Sequence, residues 1–566
     1  MLFPRLQGPL RRTPLALRIY LTLLAGLGAF GVGWIGVRIY RHEAAIRTIE
    51  HVGASIDRRA GGPGWLRQWP GGGWAATRFD EVSAVSLDGC GATDAELRSL
   101  GVLTSLKHLD LTGAQITDNG LTCLARLHKL ESLSLQRTSV GDAGLVHLTS
   151  LPALSYLNLD ETRVGDLGLE TISGIAALED LDLRKTSITD AGLKPLRKLL
   201  RLKRLSLDGT AITDEGLEFL KRLPQLEALH LFSTAITDSG LSQLRGHPSL
   251  EQLELDDTNV TDAALEILQG VPKLHALGLR KTQVTDAGLA HLREFGRMQS
   301  LYFSGKQITD AGIANVRYLP NLYFLGLDAT AVTDAGLAAI DGLSRLDWLF
   351  IQDTPITDAG LVHLRRLGRL RHLTLWNTAI TGTGLKHLAG RRDLDLRLDA
   401  NPIDDAGLAS LPEAISVSAL TLDKTLITDA GLKHLRKLQR LEGLSVCETQ
   451  IGDAGLAELA GRAELGWLSL SGTQITDAGL KHLQSLSNLR FLHLQETRVT
   501  DEGLKHLQAL TSLTWLSLWK TGVSDAGLKA LGSITGLKNL NIHDTRATDA
   551  GIAALKQARP GLKVER

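Results

Sequence analysis

Residues 202–225 read LKRLSLDGTAITDEGLEFLKRLPQ, and close variants of this stretch fill most of the chain. The general form is LxxLxLxxTxITDxGLxxLxxLxx. The aspartate of the ITD element marks its period; it stands at positions 94, 118, 142, 166, 190, 214, 238, 262, 286, 310, 334 and 358. Gly382 takes the next position, one repeat is a residue short, and aspartate returns at 405, 429, 453, 477, 501, 525 and 549. A fixed period over about twenty repeats predicts a solenoid, in which each unit packs on its neighbours.

The first half of each repeat has the pattern of a short strand followed by a turn. Leu205 and Leu207 alternate along the strand and are expected to point into the core, because alternate strand residues share a face. Thr210 follows in the turn, where its hydroxyl can satisfy a backbone group. Ile212 then fills the space inside the turn. The pattern therefore predicts, in each repeat, one short strand with one face buried in the core.

The second half of each repeat has the pattern of a helix. Either Thr213 or Asp214 is expected to cap its amino terminus, since both residue types accept hydrogen bonds there. Leu217, Leu220 and Leu223 recur at spacings of three residues and predict one buried helix face. One such unit cannot cover its own apolar face, but stacked units can. Stacked strands would then line the concave side of the solenoid.

An apolar segment near the amino terminus separates a basic leader from the repeats. Residues 19–37 contain no charged side chain and are flanked by arginines. A helix of this length spans roughly 28 Å, close to the thickness of a bilayer's hydrocarbon core. We therefore expect a basic segment at residues 1–18 and a transmembrane signal anchor at residues 19–40. A cleaved signal peptide is the alternative, and the lack of a small-x-small cleavage site followed by polar residues disfavours it.

The anchor predicts a single-pass membrane protein. The arginine counts on its two flanks are nearly equal, so the positive-inside rule hardly discriminates between the two orientations. A lone amino-terminal anchor before a large acidic domain more often leaves that domain outside the cytoplasm, and we expect an extracytoplasmic repeat domain. Ala25, Ala29 and Gly33 fall four residues apart on one helix face, which permits self-association of the anchor.

Residues 41–81 are expected to form a juxtamembrane helix and an amino-terminal cap, ahead of a solenoid at residues 82–566. Four aromatic residues stand in this segment among clustered glycines: Trp65, Trp69, Trp74 and Phe79. A ligand-binding tryptophan patch is one interpretation of them. A cap is the favoured interpretation, because the exposed core at a solenoid end needs cover.

The repeat resembles the leucine-rich-repeat family, most closely its 24-residue, cysteine-containing-like subtype, with threonine mostly in place of cysteine at Thr210 and its equivalents. The resemblance covers about 85% of the chain. It implies an α/β, right-handed leucine-rich-repeat solenoid of about twenty strand–helix repeats. With the amino-terminal transmembrane helix, the arrangement is similar to membrane-anchored leucine-rich-repeat proteins of bacteria. The family implies protein recognition on the concave strand face and carries no catalytic residues.

Aromatic residues interrupt the small or polar side chains that otherwise occupy the solvent-facing strand positions. The first group comprises Tyr302, Phe324, Trp348, Phe350 and Trp376. The second group comprises Trp467, Phe491, Trp515 and Trp519. Exposed aromatic clusters are the usual anchors of binding surfaces, so both groups are candidate protein-binding sites. The alternative is that the rings pack along the sheet as a structural ladder.

Charge and motifs restrict the function class. Residues 43–566 carry 56 basic and 62 acidic residues, a net charge of about −6, so no basic surface indicates a nucleic-acid partner. No HExxH or GxSxG run occurs, and three scattered cysteines form no metal-binding pair. We therefore expect neither an enzyme nor a cofactor or metal. A protein-binding receptor or scaffold is the favoured function, and an envelope or surface structural protein without a single ligand is the alternative.

Overall fold

The computed structural model describes residues 40–59, 81–412 and 415–566. A helix covers residues 40–51, inside the segment expected to hold the juxtamembrane helix. The predicted basic segment, the anchor up to residue 39 with its self-association face, and the four aromatic residues of the predicted cap lie outside the described residues. Within the residues that are described, no helix combines the length and the apolar character that crossing a bilayer requires.

The chain divides into two units, Met1–Ala235 (unit 1) and Ile236–Arg566 (unit 2). In its described part, unit 1 contains eight strands: β1 (Ser55–Arg59), β2 (Glu81–Ser86), β3 (His108–Asp110), β4 (Ser132–Ser134), β5 (Tyr156–Asn158), β6 (Asp180–Asp182), β7 (Arg204–Ser206) and β8 (Ala228–His230). Strands β1 and β2 run antiparallel. From β2 to β8 each strand pairs in parallel with the next, as stacked repeats require.

Unit 2 continues the same architecture through its described residues. Its fourteen strands are β9 (Gln252–Glu254), β10 (Ala276–Leu279), β11 (Ser300–Phe303), β12 (Phe324–Gly326), β13 (Trp348–Phe350), β14 (His372–Thr374), β15 (Leu394–Arg397), β16 (Val417–Thr421), β17 (Gly443–Ser445), β18 (Trp467–Ser469), β19 (Phe491–His493), β20 (Trp515–Ser517), β21 (Asn539–Asn541) and β22 (Lys563–Glu565). Each pairs in parallel with the next. The closing strand at residues 563–565 pairs with β21 and ends the sheet of this unit.

Short helical segments alternate with the strands. In unit 1 they are 40–51, Asp94–Leu100, Gly120–Arg126, Gly144–Ser150, Asp166–Ile172, Asp190–Leu193 with Lys194–Lys198, and Asp214–Leu220. In unit 2 they are Asp238–Leu241 with Ser242–Leu244, Asp262–Leu268, Asp286–Leu289 with Ala290–Glu294, Asp310–Ile313 with Ala314–Tyr318, Asp334–Leu337 with Ala338–Ile340, Gly360–Arg366, Thr383–Leu388, Asp405–Ala409, Asp429–Leu432 with Lys433–Lys437, Asp453–Ala457, Asp477–Leu480 with Lys481–Ser485, Asp501–Leu504 with Lys505–Ala509, Asp525–Leu531 and Asp549–Ala558.

Many of these segments are wholly or partly 3-10 helix, where the spacing of the leucines predicted helix without distinguishing the type. Gly120–Arg126 is 3-10 throughout, while Asp190–Leu193 is α-helical and continues as 3-10 in Lys194–Lys198. Segments this short suit the tighter i to i+3 hydrogen bonds of the 3-10 form.

The core of each unit is a column of leucines. Leu205 lies opposite Leu181 and Leu229 on the neighbouring strands, and all three are buried. The other predicted core positions of this repeat are buried as well: Leu207, Ile212, Leu217, Leu220 and Leu223. The Thr210 hydroxyl donates to the Leu207 carbonyl at 2.5 Å, which confirms its predicted role in the turn. The 24-residue register thus predicted the core correctly.

The expectation of exposed polar side chains on the strand face is wrong at four equivalent positions, which are all buried: Asn158, Asp182, Ser445 and Ser517. All four are the equivalents of the half-buried Ser206. Arg184 lies against Asp182, with its Nε atom 2.9 Å from both carboxylate oxygens. At Asp182 a long neighbouring side chain therefore covers a polar group that the alternation rule alone would leave in solvent.

The recurring spacing of Thr, Asp and Gly in most repeats reflects a contact between successive repeats. The Asp190 carboxylate accepts the backbone N–H of Thr213 at 2.8 Å and its hydroxyl at 2.6 Å. Thr213 in turn caps the next helix, because its hydroxyl accepts the N–H of Glu215 at 3.4 Å. Threonine is therefore the capping residue, and aspartate links one repeat to the next. The structure thus decides between Thr213 and Asp214, the two capping residues that the sequence left open.

The glycine of the motif makes room for this link. A Cβ atom on Gly216 would lie 2.6 Å from an Asp190 carboxylate oxygen, a distance that real Cβ contacts do not reach. The same Asp–Thr pair recurs in most other repeats; examples are Asp94–Thr117, Asp166–Thr189, Asp262–Thr285, Asp334–Thr357, Asp453–Thr476 and Asp525–Thr548. The TDxG spacing is thus explained by packing between repeats.

The irregular repeat near Gly382 departs from this scheme locally. Gly382 has a φ of 103°, which favours glycine, and the Asp358 carboxylate accepts N–H groups from Thr381, Gly382 and Gly384. His372 lies opposite Asp395, so the missing residue shortens the register by one. Asp404 caps the next helix by accepting the N–H of Gly407 at 2.8 Å. The regular link resumes with Asp405.

Candidate binding surface on the strand face

Five ring-bearing side chains lie on one face of β11 to β14. Phe324 lies opposite Trp348 in the sheet register, and Trp348 lies opposite His372. Tyr302 and Phe350 stand in the adjacent row, two residues further along their strands. Because alternate strand residues share a face, all five side chains project to the same side. We call this set (Tyr302, Phe324, Trp348, Phe350 and His372) the aromatic surface.

The rings of the aromatic surface are in continuous contact. The centroids of Tyr302 and Phe324 are 5.7 Å apart, and those of Phe324 and Phe350 are 5.3 Å apart. Trp348 stacks on Phe350 at 6.0 Å and on His372 at 3.4 Å, with an interplanar angle of 15° in each pair. All five side chains are half-buried. The strands thus hold an ordered aromatic layer that is still open to solvent on one side.

Tyr302 is held in place by groups from the neighbouring repeats. Its ring lies across Gly326, where an added Cβ atom would collide with it. Its hydroxyl donates to the Asp328 carboxylate. The Arg280 guanidinium lies over the ring, 4.6 Å from its centroid. These contacts fix the orientation of the ring before any partner arrives.

Asp328 is the buried polar group beneath this edge of the aromatic surface. It is 9% exposed, and burial raises the pKa of its carboxyl to about 6. The Gln352 side chain donates to it at 2.6 Å, which opposes the rise in pKa because the bond stabilises the charged form. The site therefore contains one carboxyl that changes charge in mildly acidic solution.

Trp376 was grouped with these residues by sequence, and the structure sets it apart. It follows β14 and is 43% exposed. Among the described residues it makes no ring–ring contact, whereas the other four members of the predicted group do. It remains an exposed apolar side chain beside the aromatic surface.

The second predicted group is arranged differently. Trp467, Phe491 and Trp515 lie opposite one another on β18, β19 and β20, but their rings do not stack within the described part of the chain. Trp467 lies over Gly443, while Phe491 is 45% exposed. Trp519 follows β20; its Nε1 atom donates to Asp544 at 3.2 Å, and Lys520 lies 4.8 Å from the centre of its ring. The register brings three of the four together without forming a continuous layer.

His372 and the polar residues around Tyr302 were missed by the sequence argument. A signal for His372 existed, because it stands 24 residues after Trp348 in the same repeat position. An imidazole at this position is polar as well as aromatic, so it does not stand out among the polar residues of the strand face. Asp328 and Gln352 carried no comparable signal, since aspartate and glutamine are common just after the strands and only the position of Tyr302 gives them a role.

The described residues hold no group of three or more histidine, cysteine, aspartate or glutamate side chains placed to bind a metal ion. The three cysteines are free thiols.

The contacts of the aromatic surface are apolar, with one buried carboxyl and one guanidinium at its edge. Such an arrangement is suited to holding another molecule by surface complementarity.

Comparison with known proteins identifies the family of the repeats. A family profile described as "Leucine-rich repeat region" matches residues 138–377, and a second, "Leucine Rich repeat", matches residues 102–125 and 485–507. The chain belongs to the leucine-rich-repeat family. The matches together cover about half of its 566 residues and confirm the resemblance inferred from the sequence. No curated protein matches this leucine-rich-repeat chain in sequence.

One solved structure supports a leucine-rich-repeat fold, and two others show a weaker likeness. The mouse RP105/MD-1 complex matches with a TM-score of 0.51 and 16% identity, over 85% of this chain and 94% of that chain. A leucine-rich-repeat protein of Leptospira interrogans matches with a TM-score of 0.33 and 18% identity, over 83% and 98%. An internalin of Listeria monocytogenes matches with a TM-score of 0.31 and 20% identity, over 70% and 88%. At such identities the likeness concerns the fold alone.

Proposed function

We propose that this leucine-rich-repeat protein binds a protein partner through the aromatic surface. The observation that carries the proposal is the continuity of the rings. Tyr302, Phe324, Phe350 and Trp348 follow one another at centroid distances of 5.7, 5.3 and 6.0 Å, and each is half-buried, not covered. Clustered aromatic side chains with an open face are typical anchors of protein interfaces.

The contacts that orient the rings favour a binding role. An aromatic side chain that is already oriented loses little conformational freedom when a partner covers it. Tyr302 is oriented by Asp328 and Arg280, and Trp348 stacks on both Phe350 and His372. Mouse RP105, whose fold is similar, is seen in complex with MD-1. A binding role for the present repeats is consistent with that relative.

A structural ladder is the competing explanation of the same contacts. Rings stacked along a sheet contribute to its stability whether or not anything binds. The two explanations predict different effects when a ring of the aromatic surface is replaced by alanine. Loss of a ladder residue lowers stability and leaves binding intact, whereas loss of an anchor lowers affinity beyond any effect on stability.

The proposal can be tested with a photo-crosslinking residue at Phe350 in the full-length protein, expressed in its own cells. The crosslinked partner is identified and purified, and its dissociation constant is measured with the wild type and with Trp348→Ala. We expect the variant to bind about thirty-fold more weakly or worse. Phe219→Ala is the matched control, because Phe219 is a half-buried aromatic residue on a helix. Equal affinities for the wild type and Trp348→Ala would contradict the proposal.

We also propose that residues 19–40 anchor the protein in a membrane with the repeats on the extracytoplasmic side. The support is the uncharged run at residues 19–37 and the acidic balance of the chain beyond it. Self-association of the anchor through Ala25, Ala29 and Gly33 belongs to the same proposal. The protein would then act as a membrane-anchored receptor or scaffold. The second aromatic group, Trp467, Phe491, Trp515 and Trp519, remains a candidate for an independent contact.

A further inference from the structure

A groove of about 760 Å³ opens at the amino-terminal ends of β12 to β15. Its walls come from the loops that lead into these strands. Tyr323, Asp347 and Arg371 line it, and each stands one residue before a member of the aromatic surface. The groove therefore runs along the edge of that surface.

Arginine is the most frequent residue in the lining of this groove. Arg345, Arg369 and Arg392 come from three successive repeats, so the stacking of the repeats brings them side by side. Adjacent parallel strands lie about 4.8 Å apart, which sets the spacing of their loops to the same order. The groove thus presents a row of guanidinium groups along its length.

The carboxylates near this row are occupied by other arginines. Asp347 accepts from Arg371, with Nε at 2.9 Å, and Asp393 pairs with Arg440 at 3.2 Å. Arg345 donates to the uncharged amide oxygen of Asn321 at 3.0 Å. Within the part of the chain that the structure describes, Arg369 and Arg392 have no hydrogen-bond or ion-pair partner for their guanidinium groups. Three cations in the groove are therefore left without a carboxylate.

We propose that the groove binds the carboxylates of an acidic peptide segment in the protein partner. The planar guanidinium fork suits a carboxylate, with two parallel N–H···O bonds, and Arg345, Arg369 and Arg392 offer three such forks in a row. This inference rests on the proposed function, since the same partner would continue from the groove onto the aromatic surface. It specifies the chemistry of that partner as acidic residues next to apolar ones.

The groove and the aromatic surface are built from neighbouring residues of the same repeats. Tyr323 and Phe324, Asp347 and Trp348, and Arg371 and His372 are adjacent in sequence. A peptide in extended form advances about 3.3 Å per residue. A few residues are therefore enough to pass from the groove to the rings.

A nucleic acid suits the groove less well than an acidic peptide. Asp347 and Asp393 stand among the arginines and would face a dense row of phosphates. Residues 43–566 also carry a net charge of about −6, which repels a polyanion at long range. A segment with a few separated carboxylates avoids both penalties.

The test uses the purified full-length protein and a fluorescent synthetic peptide in which a run of glutamates precedes leucine, tryptophan and phenylalanine. Its binding is followed by anisotropy and compared with a peptide that has glutamine in place of glutamate. We expect the glutamine peptide to bind at least about ten-fold more weakly. The double variant Arg369→Gln/Arg392→Gln should lose a similar factor for the glutamate peptide and little for the glutamine peptide. Arg222→Gln, at an exposed arginine of unit 1, should bind both peptides as the wild type does.

The outcomes separate the groove from the proposed function. If the double variant binds the glutamate peptide normally while Trp348→Ala weakens it, the groove inference fails and the aromatic surface stands. If Trp348→Ala has no effect while the arginine variant does, the aromatic surface fails and the groove is retained as a carboxylate site. An oligouridylate that displaces the peptide at lower concentration than unlabelled peptide would overturn the assignment to an acidic peptide.

Discussion

The Asp190 carboxylate accepts both the N–H and the hydroxyl of Thr213, at 2.8 and 2.6 Å, although 23 residues separate the two in the chain. The bond connects the start of one helix to the start of the next. Gly216 packs closely against this bond, since a Cβ atom there would lie 2.6 Å from a carboxylate oxygen of Asp190. A motif that reads as local in sequence is therefore an interaction between repeats.

Removal of the Asp190 carboxylate should destabilise unit 1. Asp190→Ala leaves the Thr213 N–H without its acceptor and removes a second charge-assisted bond, so we expect a loss of about 2 kcal/mol in the free energy of unfolding. Gly216→Ala should also destabilise, because its Cβ would lie 2.6 Å from the carboxylate. The measurement is urea denaturation of both single variants and of the double variant.

The double variant Asp190→Ala/Gly216→Ala tests the contact between the Asp190 carboxylate and residue 216. Gly216→Ala should cost less in the Asp190→Ala background, because the clash with the carboxylate is gone. Full relief is not expected, since Ile212 and Leu193 also lie 2.9 Å from the added atom. Gly174→Ala is the control, as its nearest neighbour would be 3.6 Å away. Strict additivity of the two single effects would show that the glycine has another role.

Two adjacent residues of β7 should differ sharply in their contribution to stability. Leu205→Ala removes a buried side chain between Leu181 and Leu229 and should cost roughly 2–5 kcal/mol. Ser206→Ala alters a half-buried residue on the other face and should cost under about 0.5 kcal/mol. Hydrogen exchange would show whether the loss at Leu205 is confined to neighbouring repeats. Equal losses at the two positions would contradict the observed strand facing.

Asp328 should give unit 2 a specific dependence on pH. Its pKa is raised to about 6 in the folded protein, from an ordinary value of 3.8, so the protonated form is the one that the fold favours. Its contribution to stability is complete below about pH 4 and is lost as pH rises through 6. Asp328→Asn should therefore be more stable than the wild type at pH 7, by up to about 3 kcal/mol, and should differ little at pH 4.

The measured quantity is the difference in the free energy of unfolding between the wild type and Asp328→Asn at each pH. Burial also raises the pKa of Asp160, Asp208 and Asp423, and their titration contributes to both pH profiles alike. Denaturation midpoints at pH 4, 5, 6 and 7 would show the difference growing with pH. Parallel profiles for the wild type and Asp328→Asn would mean that Asp328 does not titrate in this range.

Membrane anchoring is tested by fractionation. Full-length protein should sediment with membranes and resist extraction with alkaline carbonate, because residues 19–37 offer an uncharged span of bilayer length. A fragment that begins at His42 should stay in the supernatant. Full-length protein that is released by carbonate would end the anchor proposal.

The sequence by itself determined the repeat period, the strand–helix content, the buried leucines and the family. These follow from hydrophobic spacing, because a residue that recurs every 24 positions occupies the same environment in every stacked unit. Leu205, Leu207 and Leu217 needed no three-dimensional information to be placed in the core. The same regularity identified the rows in which Phe324, Trp348 and Trp467 stand.

Only the tertiary structure decided which side chains of different repeats touch. It linked Asp190 to Thr213, added His372 to the aromatic surface, left Trp376 outside it, and gathered Arg345, Arg369 and Arg392 into one groove. The period places residues in rows, but contact within a row depends on side-chain conformation and on the room that neighbours leave. A glycine such as Gly326 admits a ring that a larger residue would exclude. That information lies in the packing between repeats, which spacing along the chain does not encode.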